Sequence, residues 1–465
     1  MNSIWALLGG IVLSALPSLG QSTLNLQNPM DAPLGSFSPS PAEPEPASAQ
    51  SDPKKAPSNL AFRLSVKDAE ALALKNNPAI SIARLGALAS HQITREVRSN
   101  LWPQASVDLT GVDAHDNSRI SAGGLNNPII FSRAAAGTSV SQLITDFGHT
   151  TNLVASARFH EQAENQNALA TKEQILLAVN QAFYAALQTQ AVLRVAEQTV
   201  ASRQLLSDQV AALTKSKLKS GLDLSFANVN LSQARLLYLD ALNNDKAAMA
   251  ALSSVLGYGT VEQFQLVPDS GALSGPPTDI DPLLAEAFSK RPEILALEFE
   301  SKSAEKLHRA DRDQLLPTIS AVGAIGDAPF RDDRISSWYG AAGVNVQIPV
   351  FNGLLTTAKS RESDLQAKAA EQRVLDMRNR ISRDVRTSWL SANTAYERVS
   401  VSQQLLAQAN QALDLSQTRY KLGLGSIVEL SQAQLQQTQA EIGSAQAEYE
   451  YRLALSALRY QTSGL

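Results

Sequence analysis

Two short segments alternate apolar and polar residues with a period of two. In Ala105 to Gly111, Ala105, Val107 and Leu109 alternate with Ser106, Asp108 and Thr110. In Gly343 to Gly353, Val344, Val346 and Ile348 alternate with Asn345 and Gln347. Period-two patterning predicts strands with one apolar and one polar face. Their length is about that of a bilayer-crossing strand, and Trp338 and Tyr339 open the last one, where an aromatic girdle would lie. Runs rich in Ala, Gln, Ser and Leu, with hardly a helix breaker, follow Gly148 and Gly353. Leu153 to about Lys219 and Leu354 to about Tyr420 are predicted helices of roughly 100 Å each, at 1.5 Å per residue. Helices of that length pack lengthwise, as a coiled coil or a helical barrel.

The pattern occurs twice. ALALKNNPAI (Ala71 to Ile80) matches AEAFSKRPEI (Ala285 to Ile294), and RSNLWP (Arg98 to Pro103) matches RDQLLP (Arg312 to Pro317). Each half then reads strand, loop, strand, junction glycine and long helix. Each long helix is interrupted once, at KSGLDLS (Lys219 to Ser225) or KLGLGSI (Lys421 to Ile427). The expected plan is helix, strand, strand, long helix, helix, in repeats covering 61–265 and 266–465. Gly148 and Gly353 supply backbone freedom at the strand-to-helix turns, and Gly221 and Gly423 mark hairpin tips at the far end. Pro103 and Pro317 end the helices before the first strands, because proline disfavours a helical predecessor. Four strands cannot close a barrel, and lipid does not tolerate open edges. A membrane reading therefore needs several chains to share one barrel, two being the arithmetical minimum.

Composition narrows this. Aromatics make up only 5% of the 465 residues, which favours long helices over a large globular core. The formal net charge of −4, without a basic block, argues against nucleic acid as a partner. Residues 1–20 read as a signal peptide: Ile4 to Leu16 is apolar but too short to span a bilayer, and Ser18-Leu19-Gly20 offers a small-residue cleavage site. Residues 21–60 hold eight of the 20 prolines and read as an extended linker.

Enzymatic chemistry finds no support. There is no cysteine, so disulfides, thiol nucleophiles and cysteine metal sites are excluded. His149 and His160 could share a helix face, but no carboxylate completes a ligand set in the sequence, so neither metal nor cofactor is expected. Asp146-Phe147-Gly148 lacks the other parts of a kinase signature and reads as a strand end. No phosphate loop, nucleophile elbow or dinucleotide fingerprint occurs.

The opening LSVKDAEALALKNNP, the two Leu-x-Pro junctions, LITDFG, IPVFNG and the duplicated Gly-Leu tips together resemble the TolC-type outer-membrane efflux family, over about Phe62 to the C-terminus. The resemblance implies a homotrimer with a shared 12-stranded barrel in the outer membrane. Below it a 12-helix tunnel crosses the periplasm, with a belt around its middle. It further implies a passive duct that works with a periplasmic adaptor and an inner-membrane pump or ABC transporter. Carried over by position, the second-half gate residues are Tyr420, Gly425, Glu429 and Gln432, where the family has a tyrosine, an arginine and two aspartates. Phe226 and Ala227 stand where it has a threonine and an aspartate. The gate is then either held differently, through Arg419 or Lys421, or looser. Gly221-Leu222 and Gly423-Leu424 are the expected adaptor-docking tips. A periplasmic coiled-coil scaffold without a pore is the alternative.

Overall fold

The computed structural model describes residues 62–115, 129–269, 271 and 273–462. The predicted signal peptide and linker lie outside the described residues. The first half comprises β1 (Phe62–Leu64), α1 (Val66–Asn76), α2 (Pro78–Ser99), β2 (Gln104–Val112), β3 (Arg133–Thr145), α3 (His149–Lys215) and α4 (Gly221–Val255). The second comprises β4 (Phe264–Leu266), α5 (Asp281–Lys290), α6 (Pro292–Asp313), β5 (Thr318–Arg331), β6 (Trp338–Gln347), α7 (Leu355–Lys421) and α8 (Ile427–Thr462). The element order is the same in both halves.

Two features go beyond the sequence reading. The helix ahead of the first strand is two helices in each half, broken at Asn77-Pro78 and Arg291-Pro292. Both residues before proline are extended, at ψ 121° and 124°, as the proline ring requires. Asn77 also accepts the Ala79 N–H at 2.9 Å and so caps α2. The second feature is a short parallel pair, β1 with β4, in which Leu64 faces Leu266. Three-residue strands carry too little periodicity to be read from sequence.

Each 67-residue helix is covered by shorter ones along different parts of its length. The first part of α3 lies against α2 and α6. Thr94 donates to the Ala157 carbonyl at 3.2 Å and His149 meets the Ala310 carbonyl at 2.8 Å. Its last part lies against α4 and α8, where Arg203 donates to the Gln434 carbonyl at 3.0 Å. Near the midpoint of α3, Val179, Phe183 and Leu187 pack with Leu64, Ala69, Ala73, Leu252, Leu256 and Leu266 into the main core. Near the midpoint of α7, Ile381 and Val385 pack with Leu284, Ala287 and Ile294. The short elements α1, β1, β4 and α5 thus gather beside the middles of the long helices, where apolar side chains face in on several sides. At the C-terminal end of α8, Glu293 accepts from Arg291 and from the Tyr460 hydroxyl at 3.0 Å each, and Arg291 also donates to Gln461 at 2.7 Å.

Candidate functional site: the strand sheet and the helix tips

The four long strands form one antiparallel sheet in the order β2-β3-β5-β6, leaving β2 and β6 as unpaired edges. The register extends the alternation across the whole sheet. Val107 lies opposite Thr138, Thr138 opposite Ile325, and Ile325 opposite Gly340. Directly paired residues share a face, so one face collects Ala105, Val107, Leu109, Val140, Ile319, Ile325, Trp338, Val344 and Val346. The other collects Gln104, Ser106, Asp108, Ser139, Ser141, Thr318, Ser320, Asn345 and Gln347, with Val322, Ala324 and Ala341 among them. No element of the described chain covers the apolar face: Val107 is 72% exposed, Leu109 82% and Val344 64%. The band is bounded by exposed aromatics at both ends, Trp102, Phe147 and Phe351 towards the helices and Phe330 and Trp338 towards the loops. On the polar face the Tyr339 phenol lies across Gly137 and Gly326, at the place a Cβ on either would take.

At the junction to α3, Phe147 and Gly148 are both left-handed, at φ 54° and 117°. At the junction to α7 the left-handed pair is Gly353 and Leu354, at φ 65° and 67°. Counted from the helix starts, Gly148 therefore corresponds to Leu354, and Gly353 to Phe147. Each half places its glycine at a different position of the same two-residue kink. Asp146 serves the first kink, accepting the Thr150 N–H at 2.7 Å and the Gly148 N–H at 3.3 Å. A side chain at Gly148 would meet the Asp313 carboxylate, which already accepts from Asn152 at 2.8 Å.

The helix tips correct the sequence reading in one respect. Gly221 is not the turning residue: it is the first residue of α4, capped by Ser220. The left-handed position of that turn is Lys217, φ 59°, and its counterpart is Gly423, φ 75°. The same hydrogen bonds close both turns, Leu218 N–H to the Leu213 carbonyl at 2.9 Å and Leu424 N–H to the Arg419 carbonyl at 2.8 Å. The equivalent pairs are therefore Lys217-Leu218 and Gly423-Leu424. Lysine can adopt this conformation at a modest cost, so glycine spacing alone misplaced the first turn by four residues. Leu218, Leu222 and Leu424 are all exposed.

Around the second tip, Tyr420 is buried with Val210, Ala227, Ile427 and Leu430, and Phe226 packs against them. Lys219 sits 3.9 Å above the Tyr420 ring. Burial pushes the Tyr420 phenol above its ordinary range, and the nearby Asp223 adds to this. Arg419 donates to Glu429 at 3.0 Å and to the Leu424 carbonyl at 3.2 Å. Gly425 lies beneath that ion pair, where a Cβ would stand 3.2 Å from Arg419 and 3.3 Å from Glu429. Ser426 caps α8, its hydroxyl accepting the Glu429 N–H at 3.1 Å. Gln432, three residues beyond Glu429, is exposed. The structure thus brings Tyr420, Gly425 and Glu429 together, with Arg419 as the partner of Glu429 and Lys219 as the partner of Tyr420. Sequence reasoning missed Arg203, buried between α3 and α8 without a carboxylate. Burial lowers its pKa to about 10, and nothing in its sequence neighbourhood signals this.

The sequence model of the outer membrane efflux protein family matches residues 71–258 and 283–463. Outer membrane efflux protein BepC of Brucella suis is 25% identical over 397 residues, covering 83% of this chain and 82% of its own. Outer membrane protein OprJ of Pseudomonas aeruginosa is 24% identical over 392 residues, covering 83% and 81%. The same fold occurs in the CmeC outer membrane channel of Campylobacter jejuni, with a TM-score of 0.76 at 16% identity over 86% of this chain and 85% of that one. It occurs again in the outer membrane protein VceC of Vibrio cholerae, with a TM-score of 0.73 at 15% identity over 86% and 96%. With its sheet in the outer membrane and its long helices on the periplasmic side, the chain belongs to the outer membrane efflux protein family.

Proposed function

We propose that three copies of this chain close their sheets into a 12-stranded barrel and their helices into a tunnel, as the exit duct of a tripartite efflux or type I secretion system. The chain itself is a non-enzymatic outer-membrane efflux duct. The observation that carries the proposal is the sheet: a bare apolar face, a polar opposite face and two unpaired edges. Such edges are removed by closure against further copies, with the apolar face towards lipid. Exposed leucines and isoleucines on α2 (Ile82, Leu85, Leu88) and along α7 (Leu365, Leu375, Leu405, Leu415) support lateral packing of the helices as well. The number three rests on the family resemblance. Purified protein in planar bilayers is expected to give stepwise ion conductance. A monodisperse monomer in detergent without conductance overturns the proposal.

In this reading Gly425, Glu429 and Gln432 line the periplasmic mouth, Tyr420 is buried behind them rather than lining it, and contact with an adaptor and an inner-membrane pump opens the mouth. Each Glu429 carboxylate is offset by its own Arg419, so rings of both signs meet there. Glu429→Gln should lower the cation preference of the pore, while Arg419→Gln should raise it by freeing the carboxylates. Unchanged selectivity in both removes this pair from the mouth. The adaptor docks at the tips, Gly221-Leu222 and Gly423-Leu424, where both leucines are exposed in the single chain. The double variant Leu222→Ser with Leu424→Ser should keep its assembly but capture less adaptor. Capture at the wild-type level places docking elsewhere.

A further inference from the structure

One polar cluster lies far from the tips and is used by none of the features above. His160 and Glu164 stand one turn apart on α3, and Glu300 faces them from α6. Their ligand atoms, one imidazole nitrogen and two carboxylate oxygens, all lie within 4.8 Å of one another. The sequence conceals this set, because its third member is 136 positions beyond the second in the chain and arrives only through helix packing. Among the described residues, no hydrogen bond or ion pair joins any two of the three, and no lysine or arginine pairs with either carboxylate. Two carboxylates held this close without a cation repel each other.

The surrounding helices hold the cluster in place. One turn before His160, Ser156 and Ser303 exchange hydrogen bonds with each other's backbone carbonyls at 2.9 and 2.8 Å, so α3 and α6 touch almost backbone to backbone. Phe159 and Phe299, the neighbours of His160 and Glu300, stack with centroids 6.5 Å apart. Asn167 donates to a Glu164 oxygen at 3.2 Å, an outer contact of the kind that orients a ligating carboxylate.

We propose that His160, Glu164 and Glu300 bind a divalent zinc ion that clamps α3 to α6. An imidazole and a carboxylate at i and i+4 on one helix, with a carboxylate from a second, form a mixed nitrogen and oxygen set that suits zinc. Ligand atoms around tetrahedral zinc lie roughly 3.4 Å apart, given bonds of about 2.0–2.2 Å. Small rotations of the three side chains close the present spacing to that value, with the Asn167 contact on Glu164 kept as its outer support. The fourth position is left to water. His160 is eleven residues into α3, about 17 Å along the helix from its start beside the sheet. The clamp therefore ties the two helices together just below the membrane, and it does not depend on the direction or cargo of transport.

The test uses full-length protein purified in detergent and stripped with EDTA. Zinc titrated in a calorimeter should bind at one ion per chain and raise the thermal midpoint. Cobalt in place of zinc should give the visible absorption of a tetrahedral site. His160→Gln and Glu300→Gln should each weaken zinc binding about tenfold or more and abolish the thermal shift. Glu305→Gln, also on α6 but paired with Arg309, should bind as wild type does. Circular dichroism and oligomer size report whether the variants fold. No zinc uptake by the wild type overturns the proposal. So does equal uptake by folded His160→Gln and Glu300→Gln proteins, which would locate the ion elsewhere.

Discussion

At the scale of single residues, the clearest constraint is the place where Tyr339 crosses two glycine-bearing strands. A methyl group at Gly137 meets the phenol oxygen head-on, so Gly137→Ala forces the ring or the strand to move, an overpacking cost of about 1–3 kcal/mol. Gly137→Ala is expected to lower the yield of assembled protein and its thermal midpoint, and adding Tyr339→Phe, which removes the clashing atom, should recover most of both. Glu293 is a second such point. Burial pushes its carboxyl upward, but donors from Arg291 and Tyr460 outweigh that and hold it below its ordinary 4.5. A lowered carboxylate stabilises the fold above its unfolded pKa and loses that contribution as pH falls through the lower folded value. The network should thus weaken below about pH 4.5. At the alkaline end, burial and the Glu293 charge push the Tyr460 phenol up to about 12, so its contribution fades as pH climbs from 10 towards that value. Glu293→Ala leaves Arg291 buried without its carboxylate and should cost about 3 kcal/mol at neutral pH, read as a lower unfolding midpoint in denaturant. A variant as stable as wild type at neutral pH would show that water replaces the pair freely.

At the scale of elements, the two helix turns make a comparison within one molecule. Both have the same hydrogen bonds, but one places lysine and the other glycine in the left-handed position. Lys217→Gly should therefore stabilise the first hairpin by up to about 1 kcal/mol, whereas Gly423→Lys should destabilise the second by a similar amount. Hydrogen exchange of the amides around each turn would check both. This contrast also marks the limit of the sequence. Long helices, strand alternation and the Leu-x-Pro junctions were legible, because each repeats a local signal over many residues or occurs twice. The turns were found but the first was placed four residues late, since a left-handed lysine has no compositional mark. The gate residues Tyr420 and Glu429 were named from the resemblance, with Arg419 or Lys421 as the alternative holder; the choice of Arg419 and the placing of Lys219 over Tyr420 needed the packing of the two hairpins. The β1–β4 pair, the buried Arg203 and the meeting of His160 with Glu300 arise from contacts between distant segments, and no local pattern encodes them.

At the scale of the whole molecule, the two faces of the sheet set what each side meets. The chain contains no cysteine, so single cysteines can report on each face without background. In native membranes Asn345→Cys is expected to react with a hydrophilic thiol reagent, and Val344→Cys, its neighbour on the opposite face, to react far more slowly. Equal labelling would contradict the assignment of one face to lipid. The unpaired edges β2 and β6 also bear on how the protein is made. A newly exported single copy carries two strand edges ready to pair with any extended chain, beside an apolar face that water does not tolerate. Such a molecule is safe only while it is escorted or already among its own kind. Its maturation should therefore follow a steep dependence on copy number, with scarce synthesis favouring degradation and abundant synthesis favouring ring closure. The long helices, with their exposed leucines, give the copies a way to find one another before any strand reaches the bilayer.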